Sequence, residues 1–152
     1  MEDSATPQLE LSNDPKPEAP AIATIKPMKT PAMLPAIRIR SKSQFGHLHI
    51  TIVIDAKADR ELEVFAQLGR AGELTYSDIE GMCRLASLYL RAGGLLDDIV
   101  HQLIGIGSTL SSDTAKVSIA NSLGEAPNRY LEFKMKFGMK ALLFGEVEIP
   151  EE

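Results

Sequence analysis

The sequence predicts an α+β domain, in which a small antiparallel sheet of two or three strands is covered on one face by three or four helices. Two neighbouring segments alternate between apolar and polar residues, as half-buried strands do. The segments after them carry apolar residues at helical spacing instead. Strands followed by helices are typical of the α+β class. The chain has 152 residues, of which 44% are hydrophobic, enough for one compact domain with tails.

The predicted strands are defined by their alternation. Residues 47–55 and 60–68 form an antiparallel pair joined by the polar turn DAKAD. Residues 36–41 alternate as well and predict a third strand. One face of this sheet is apolar throughout and needs a cover. The side chains expected to face the core are those of Leu48, Ile50, Ile52, Ile54, Leu62, Val64, Ala66 and Leu68.

Helices are expected to supply that cover. After a loop at 68–72, the first helix is predicted to begin at Thr75 or Ser77, because Ser77 and Glu80 have the spacing of a capping box. It should end at the glycine pair 93–94. Residues 95–106 predict a second, shorter helix. The apolar stripe expected on the first helix contains Ile79, Met82, Cys83, Ala86, Tyr89 and Leu90.

The last helical region follows a loop of small polar residues at 107–115. Ser118 is a candidate N-cap for a third helix. Pro127 lacks a backbone N–H, so it is expected either to kink that helix or to start a new one over 126–137. Residues 141–152 are an acidic tail, which is expected to be solvated, with a short strand at 142–149 as the alternative.

Seven of the nine prolines fall in the first 35 residues, which also lack aromatic side chains. Such a segment buries too little apolar surface to offset its ordering entropy. We therefore expect 1–35 to be a disordered or extended arm. The folded domain is then predicted at 36–140.

Composition excludes several classes of protein. The 16 basic and 21 acidic residues give a net charge of −5, which argues against a general phosphate-backbone binder. One cysteine excludes an intramolecular disulfide, a redox pair and a cysteine-rich zinc site. No apolar run approaches the roughly 18 residues of a membrane span, and the acidic N-terminus is not a secretory signal. A cytoplasmic protein without a membrane partner is expected.

Isolated candidates for chemistry have ordinary explanations. His47 and His49 share one face of a strand and, with His101, would supply three metal ligands. Nothing in the sequence brings His101 to the other two, so a solvent-facing pair and no metal are expected. Cys83 lies on an apolar helical stripe, where a buried and unreactive thiol is expected.

Basic residues cluster on the first strand and near the last helix, with aromatic residues close by in sequence. Such clusters bind nucleotides or nucleic acid through stacking and charge, or they are ordinary solvated faces. The candidate residues for binding a partner or a nucleotide are Arg38, Arg40, Lys42, Arg129, Lys134 and Lys136.

Four ordered motifs resemble the TSCPD domain family. They are the strand EVF, the loop GRAG, the helix RLASLYLRAG and the segment IVHQLIGI, within roughly 36–131. The residues that carry the resemblance, all with structural roles, are Glu63, Val64, Phe65, Gly69, Gly72, Arg84, Ser87, Arg91, Gly93, Gln102 and Gly105. The family's Cys-Pro-Asp segment is absent, and Ser118-Ile119-Ala120-Asn121 stands in its place.

TSCPD domains occur at the C-terminal end of adenosylcobalamin-dependent, class II, ribonucleotide reductases and as the small half of split reductases. The resemblance therefore implies a context in deoxyribonucleotide synthesis. It implies an accessory chain, at most a subunit of ribonucleoside-diphosphate reductase, that binds a larger catalytic chain and holds no cofactor itself. The alternative is a non-enzymatic module that binds nucleic acid, nucleotide or protein in another complex.

Overall fold

The computed structural model describes residues 25–69, 73–107 and 118–151. Within them, three strands form one antiparallel sheet in the order β1-β2-β3, with β1 at Ala36–Ser43, β2 at Gly46–Asp55 and β3 at Arg60–Leu68. Four helices follow, α1 at Glu73–Arg91, α2 at Leu96–Leu103, α3 at Ile119–Phe137 and α4 at Met139–Leu143. The predicted α+β class and the three strands are confirmed.

Alternation along the strands produces the expected core. Leu48, Ile50, Ile52 and Ile54 of β2 are all fully buried. They pack with helical side chains, of which Tyr130 of α3 is the largest fully buried one. The sheet is thus covered by helices on the face that the sequence marks as apolar.

The register of β2 and β3 shifts between Val53 and Ile54. Val53 pairs with Glu63, but Ile54 pairs with Glu61, so Leu62 is an extra residue on β3. As a result both Glu61 and Leu62 are buried, whereas strict alternation predicted only the leucine.

The start of α1 differs from the prediction. The helix begins at Glu73, so Thr75, Ser77 and Glu80 lie inside its first turns and the predicted capping box is wrong. Tyr89 is also 44% exposed rather than part of the core stripe. Its hydroxyl donates to Asp98 Oδ2 at 2.7 Å, which holds the ring at the surface.

The third helix is continuous through Pro127, so of the two expected alternatives, a kink or a new helix, the new helix is wrong. Ser118 is its N-cap as predicted, since the Ser118 hydroxyl oxygen accepts from the Asn121 N–H. Pro127 lies inside the helix and is buried. Burial of Leu123, Ala126 and Tyr130 on the same helix offsets the loss of one backbone hydrogen bond at the proline.

Residues 142–149 form no strand, which was the alternative to a solvated tail. Gly138, with φ of +84°, ends α3 and is followed by α4, whose Met139 and Leu142 are buried. Val147 and Ile149 also pack against the core, so this part of the acidic tail is not simply solvated. The second helix ends at Leu103, three residues before its predicted end.

Candidate functional site

The face of the sheet opposite the core carries a concentration of basic side chains. Strand alternation directs Arg38, Arg40 and Lys42 of β1 away from the core, and the register places them beside Thr51, His49 and His47 of β2, in that order. All are exposed except His49 and Thr51, which are half-buried. We call Arg38, Arg40, Lys42, His47 and His49 the basic sheet face.

The histidines of this face are held by charged neighbours. Arg38 lies 2.8 Å from His49 Nδ1, measured from its guanidinium nitrogen. Desolvation, together with the charges of Arg38 and Arg40, lowers the pKa of His49 below its usual value of 6.5. At neutral pH the ring of His49 is therefore uncharged and accepts a hydrogen bond from Arg38.

A carboxylate from the far end of the chain occupies the centre of the basic sheet face. Glu151 forms an ion pair with Arg40, and its Oε1 lies 3.4 Å from His47 Nδ1. The hydrogen bond from Arg40 is the main cause that lowers the pKa of Glu151. Glu151 is ionised at neutral pH and complements the cations of β1.

The segment that delivers Glu151 passes from the helical side of the sheet to the basic sheet face. Arg129 of α3 donates to the Pro150 carbonyl oxygen at 2.8 Å. The next residue, Glu151, reaches Arg40 on the opposite side of β1. We call residues 147–151 the tail segment. It crosses β1, which is an edge strand of the sheet.

Two members of the second predicted basic cluster, Lys134 and Lys136, lie elsewhere and are used differently. Lys134 Nζ and the Tyr130 hydroxyl each lie 2.8 Å from Glu61 Oε1, a buried carboxylate. Lys136 stacks over the Phe137 ring, 5.1 Å from its centroid. Because α3 packs on the covered face, Lys134 and Lys136 do not form one surface with Arg38 and Arg40.

A groove of about 720 Å³ runs between α1 and β3. Its apolar side chains include Phe65, Leu85 and Leu88, which are 51%, 70% and 45% exposed. Arg84 and Arg91 add charge to its wall. The groove therefore combines exposed apolar side chains with basic ones.

The serine of the helical motif fixes α1 against the edge of β3. The Ser87 Oγ accepts from the Val64 N–H at 3.0 Å and donates to the Val64 carbonyl at 3.2 Å. A buried hydroxyl thus satisfies both backbone groups that an edge strand would otherwise leave unpaired. Arg91 Nε reaches the Ser87 carbonyl oxygen at 3.3 Å and lies 3.9 Å from Glu63 Oε1.

The remaining motif residues are placed as follows. Gly93 and Gly105 adopt φ values of +106° and +86° after α1 and α2, where a side chain would be strained. Gly69 donates its N–H to the His47 carbonyl at 3.0 Å. Arg84 pairs with Glu80 on the exposed side of α1. Gln102 is exposed, and Gly72 lies outside the described residues.

The thiol is buried as predicted. Cys83 is 7% exposed, and desolvation raises its pKa to about 11. Its environment is the apolar contact between α1 and β3, where the thiolate is disfavoured.

The three histidines are not grouped. His101 lies on α2, with Nε2 3.5 Å from Asp97 Oδ2, whereas His47 and His49 lie on the sheet. Among the described residues, no three or more His, Cys, Asp or Glu side chains form a group that could hold a metal ion.

The sequence patterns do not predict two of the site residues, Glu151 and Glu61. Glu151 belongs to a run of acidic residues without compensating bases, and its complement, Arg38 to Lys42, was visible far upstream. Glu61 was placed on the polar face by alternation, and only the register shift turns it inward. Charge complementarity was thus a usable signal for the first residue, but no signal existed for the second.

Comparison with protein families gives a match to the TSCPD domain over residues 26–131. Comparison with curated proteins and with solved structures found no match. In the described part of the chain, no helix is both long and apolar enough to cross a membrane. The family match spans more than half of the chain and contains all four motifs. The chain therefore belongs to the TSCPD domain family.

Proposed function

We propose that this chain is an accessory, non-catalytic TSCPD subunit that binds a larger catalytic chain of a ribonucleotide reductase. The observation that carries the proposal is the family membership over residues 26–131, because the family is known from proteins related to ribonucleotide reductase. Such a subunit would act in the cytoplasm, where it would support deoxyribonucleotide synthesis.

The state of the thiol supports a role outside the radical chemistry. Reductase chemistry of this class needs a reactive cysteine and a reducing cysteine pair. Here the chain has one cysteine, Cys83, whose pKa is raised to about 11 by burial. At pH 7 roughly one thiol in ten thousand would be ionised. A partner chain must then supply the reactive thiols.

The exposed surfaces support binding to another protein. The basic sheet face lies on β1 and β2, and the groove beside β3 exposes Phe65, Leu85 and Leu88. The outer edge of β1 receives no backbone hydrogen bond from any described residue. An edge strand of this kind is a ready docking element for a partner segment.

The test is a pull-down and gel-filtration experiment with the large reductase chain of the same host. The native chain is expected to co-elute with it and to have no reductase activity alone. Arg38→Glu combined with Arg40→Glu should weaken association at least tenfold. The native arginines of β1 attract the surface of the partner, and glutamates in their place would repel it.

A matched control reverses two charges elsewhere. Lys57→Glu with Lys140→Glu changes the net charge equally at exposed positions outside β1, and should leave association unchanged. Circular dichroism checks that both double variants fold. If the native chain elutes alone at every concentration and binds oligonucleotides instead, the nucleic-acid-binding alternative replaces this proposal.

A further inference from the structure

We propose that the basic sheet face binds an acidic, extended segment of the partner protein, and that the tail segment occupies this site in cis until the partner displaces it. This deepens the proposed function and rests on it for the identity of the partner. The occupant is inferred from the chain itself, because the group seated on the face is a carboxylate on a segment that is neither helix nor strand.

The spacing of the cations suits such a segment. Arg38, Arg40 and Lys42 are alternate residues of one strand, so their Cα atoms are about 6.6 Å apart along β1. Alternate side chains of an extended peptide have the same separation. A partner segment lying along β1 would therefore present an acid to each cation in turn. Glu151 satisfies Arg40 and His47, but only one acid from the tail segment is seated there.

The cis contact is suited to exchange. The side chains of Arg40 and Glu151 are 56% and 29% exposed, so their ion pair is well solvated and contributes little to stability. By contrast, Val147 and Ile149 pack against the core and keep the tail segment next to β1. The acidic end can thus leave Arg40 while its apolar anchor stays in place. Because breaking this ion pair costs little free energy, the competition lowers the partner's apparent affinity only slightly.

The direct test measures binding of an acidic peptide to the full chain. The probe is a fluorescein-labelled peptide with the sequence of residues 145–152, GEVEIPEE, and its counterpart in which glutamine replaces every glutamate. Fluorescence anisotropy is recorded at low and at high salt. The acidic peptide should bind, the glutamine peptide should not, and high salt should weaken the binding.

Variants then separate competition in cis from a general charge effect. Glu151→Gln should bind the acidic peptide about two- to fivefold more tightly than the native chain, because the competing carboxylate is removed. Glu148→Gln is the matched control with the same charge change at an exposed position, and its affinity should equal that of the native chain. Arg40→Gln or His47→Gln should weaken binding in either background.

If the native chain and Glu151→Gln bind the acidic peptide with equal affinity, the proposal that the tail segment occupies the site in cis is wrong. Binding that ignores Arg40→Gln and His47→Gln, or that goes to an oligonucleotide in place of the acidic peptide, would overturn the acidic-segment site. These failures are distinct from failure of the proposed function. If the peptide binds as expected but the reductase chain does not, the site stands and the partner is another acidic protein.

Discussion

At the scale of single residues, Ser87 shows how one side chain joins a helix to a sheet. Its hydroxyl is buried and hydrogen-bonded to both the N–H and the carbonyl of Val64. Ser87→Ala leaves both backbone groups buried without that partner. We expect a loss of about 1–3 kcal/mol in the free energy of unfolding, measured by urea denaturation. A loss below the error of the measurement would show that water replaces the hydroxyl.

Cys83 gives a pH-dependent prediction at the same scale. Burial raises the pKa of its thiol from 9.0 to about 11, so ionisation favours the unfolded chain. The resulting stabilisation is complete below pH 9 and is lost as the pH rises towards 11. The native chain and Cys83→Ser differ in their free energy of unfolding. This difference should therefore decrease by up to about 3 kcal/mol between pH 9 and pH 11.

The same burial predicts slow labelling of the native thiol by an alkylating reagent at pH 7, with rapid labelling in denaturant. The Cys83→Ser variant should still bind its partner, because the side chain is buried and offers a partner almost no surface. Rapid native labelling together with loss of partner binding would contradict the assignment of Cys83 to the core.

At the scale of elements, Gly124 permits the close packing of α2 and α3. A Cβ at this position would lie 2.9 Å from Ile104 Cγ1 and 3.1 Å from the Ile104 backbone nitrogen. Gly124→Ala is therefore expected to destabilise the chain by about 1–3 kcal/mol in thermal or urea unfolding, since backbone must move.

Gly81 in the middle of α1 is the matched comparison. A Cβ there would meet nothing within 4 Å. Gly81→Ala should stabilise the chain by about 0.5–1 kcal/mol, because alanine favours the helix. If both alanine variants change stability in the same direction, the close approach of α2 and α3 is not what constrains Gly124.

At the scale of the whole molecule, the question is how much the N-terminal arm adds to the domain. Residues 1–24 lie outside the described part of the chain, and 25–35 form no helix or strand. In that stretch Met28 donates its N–H to the Arg91 carbonyl, and Ile25 and Met33 are 67% and 89% exposed. Deleting residues 1–34 should leave the Tm nearly unchanged in a calorimetric scan.

This deletion preserves Pro35, whose carbonyl accepts from the Ile54 N–H. A decrease in Tm of more than about 5 °C would correspond to a loss of roughly 1 kcal/mol in the free energy of unfolding. It would show that the arm packs on the domain or completes an oligomer. The proposed arm of 1–35 would then have to be reassigned to the folded domain.

The sequence by itself determined the class of fold, the three strands, the Ser118 cap and the family. These features depend on residues that are close together in sequence. The signals are the alternation of apolar and polar residues, helix capping and the ordered motifs. The sequence predicted the boundaries of the helices less well than it predicted the strands. Pro127 ends or kinks a helix by local rules, yet burial of its neighbours keeps α3 continuous.

Only the tertiary structure decided which charges meet. Glu151 and Arg40 are 111 residues apart in the chain, and Lys134 and Glu61 are 73 apart. The first pair forms where the tail segment crosses β1, and the second follows from a one-residue shift in strand register. The covered and open faces then separate the two basic clusters. No local pattern encodes these distances, because they are set by how the helices and the tail segment pack on the sheet.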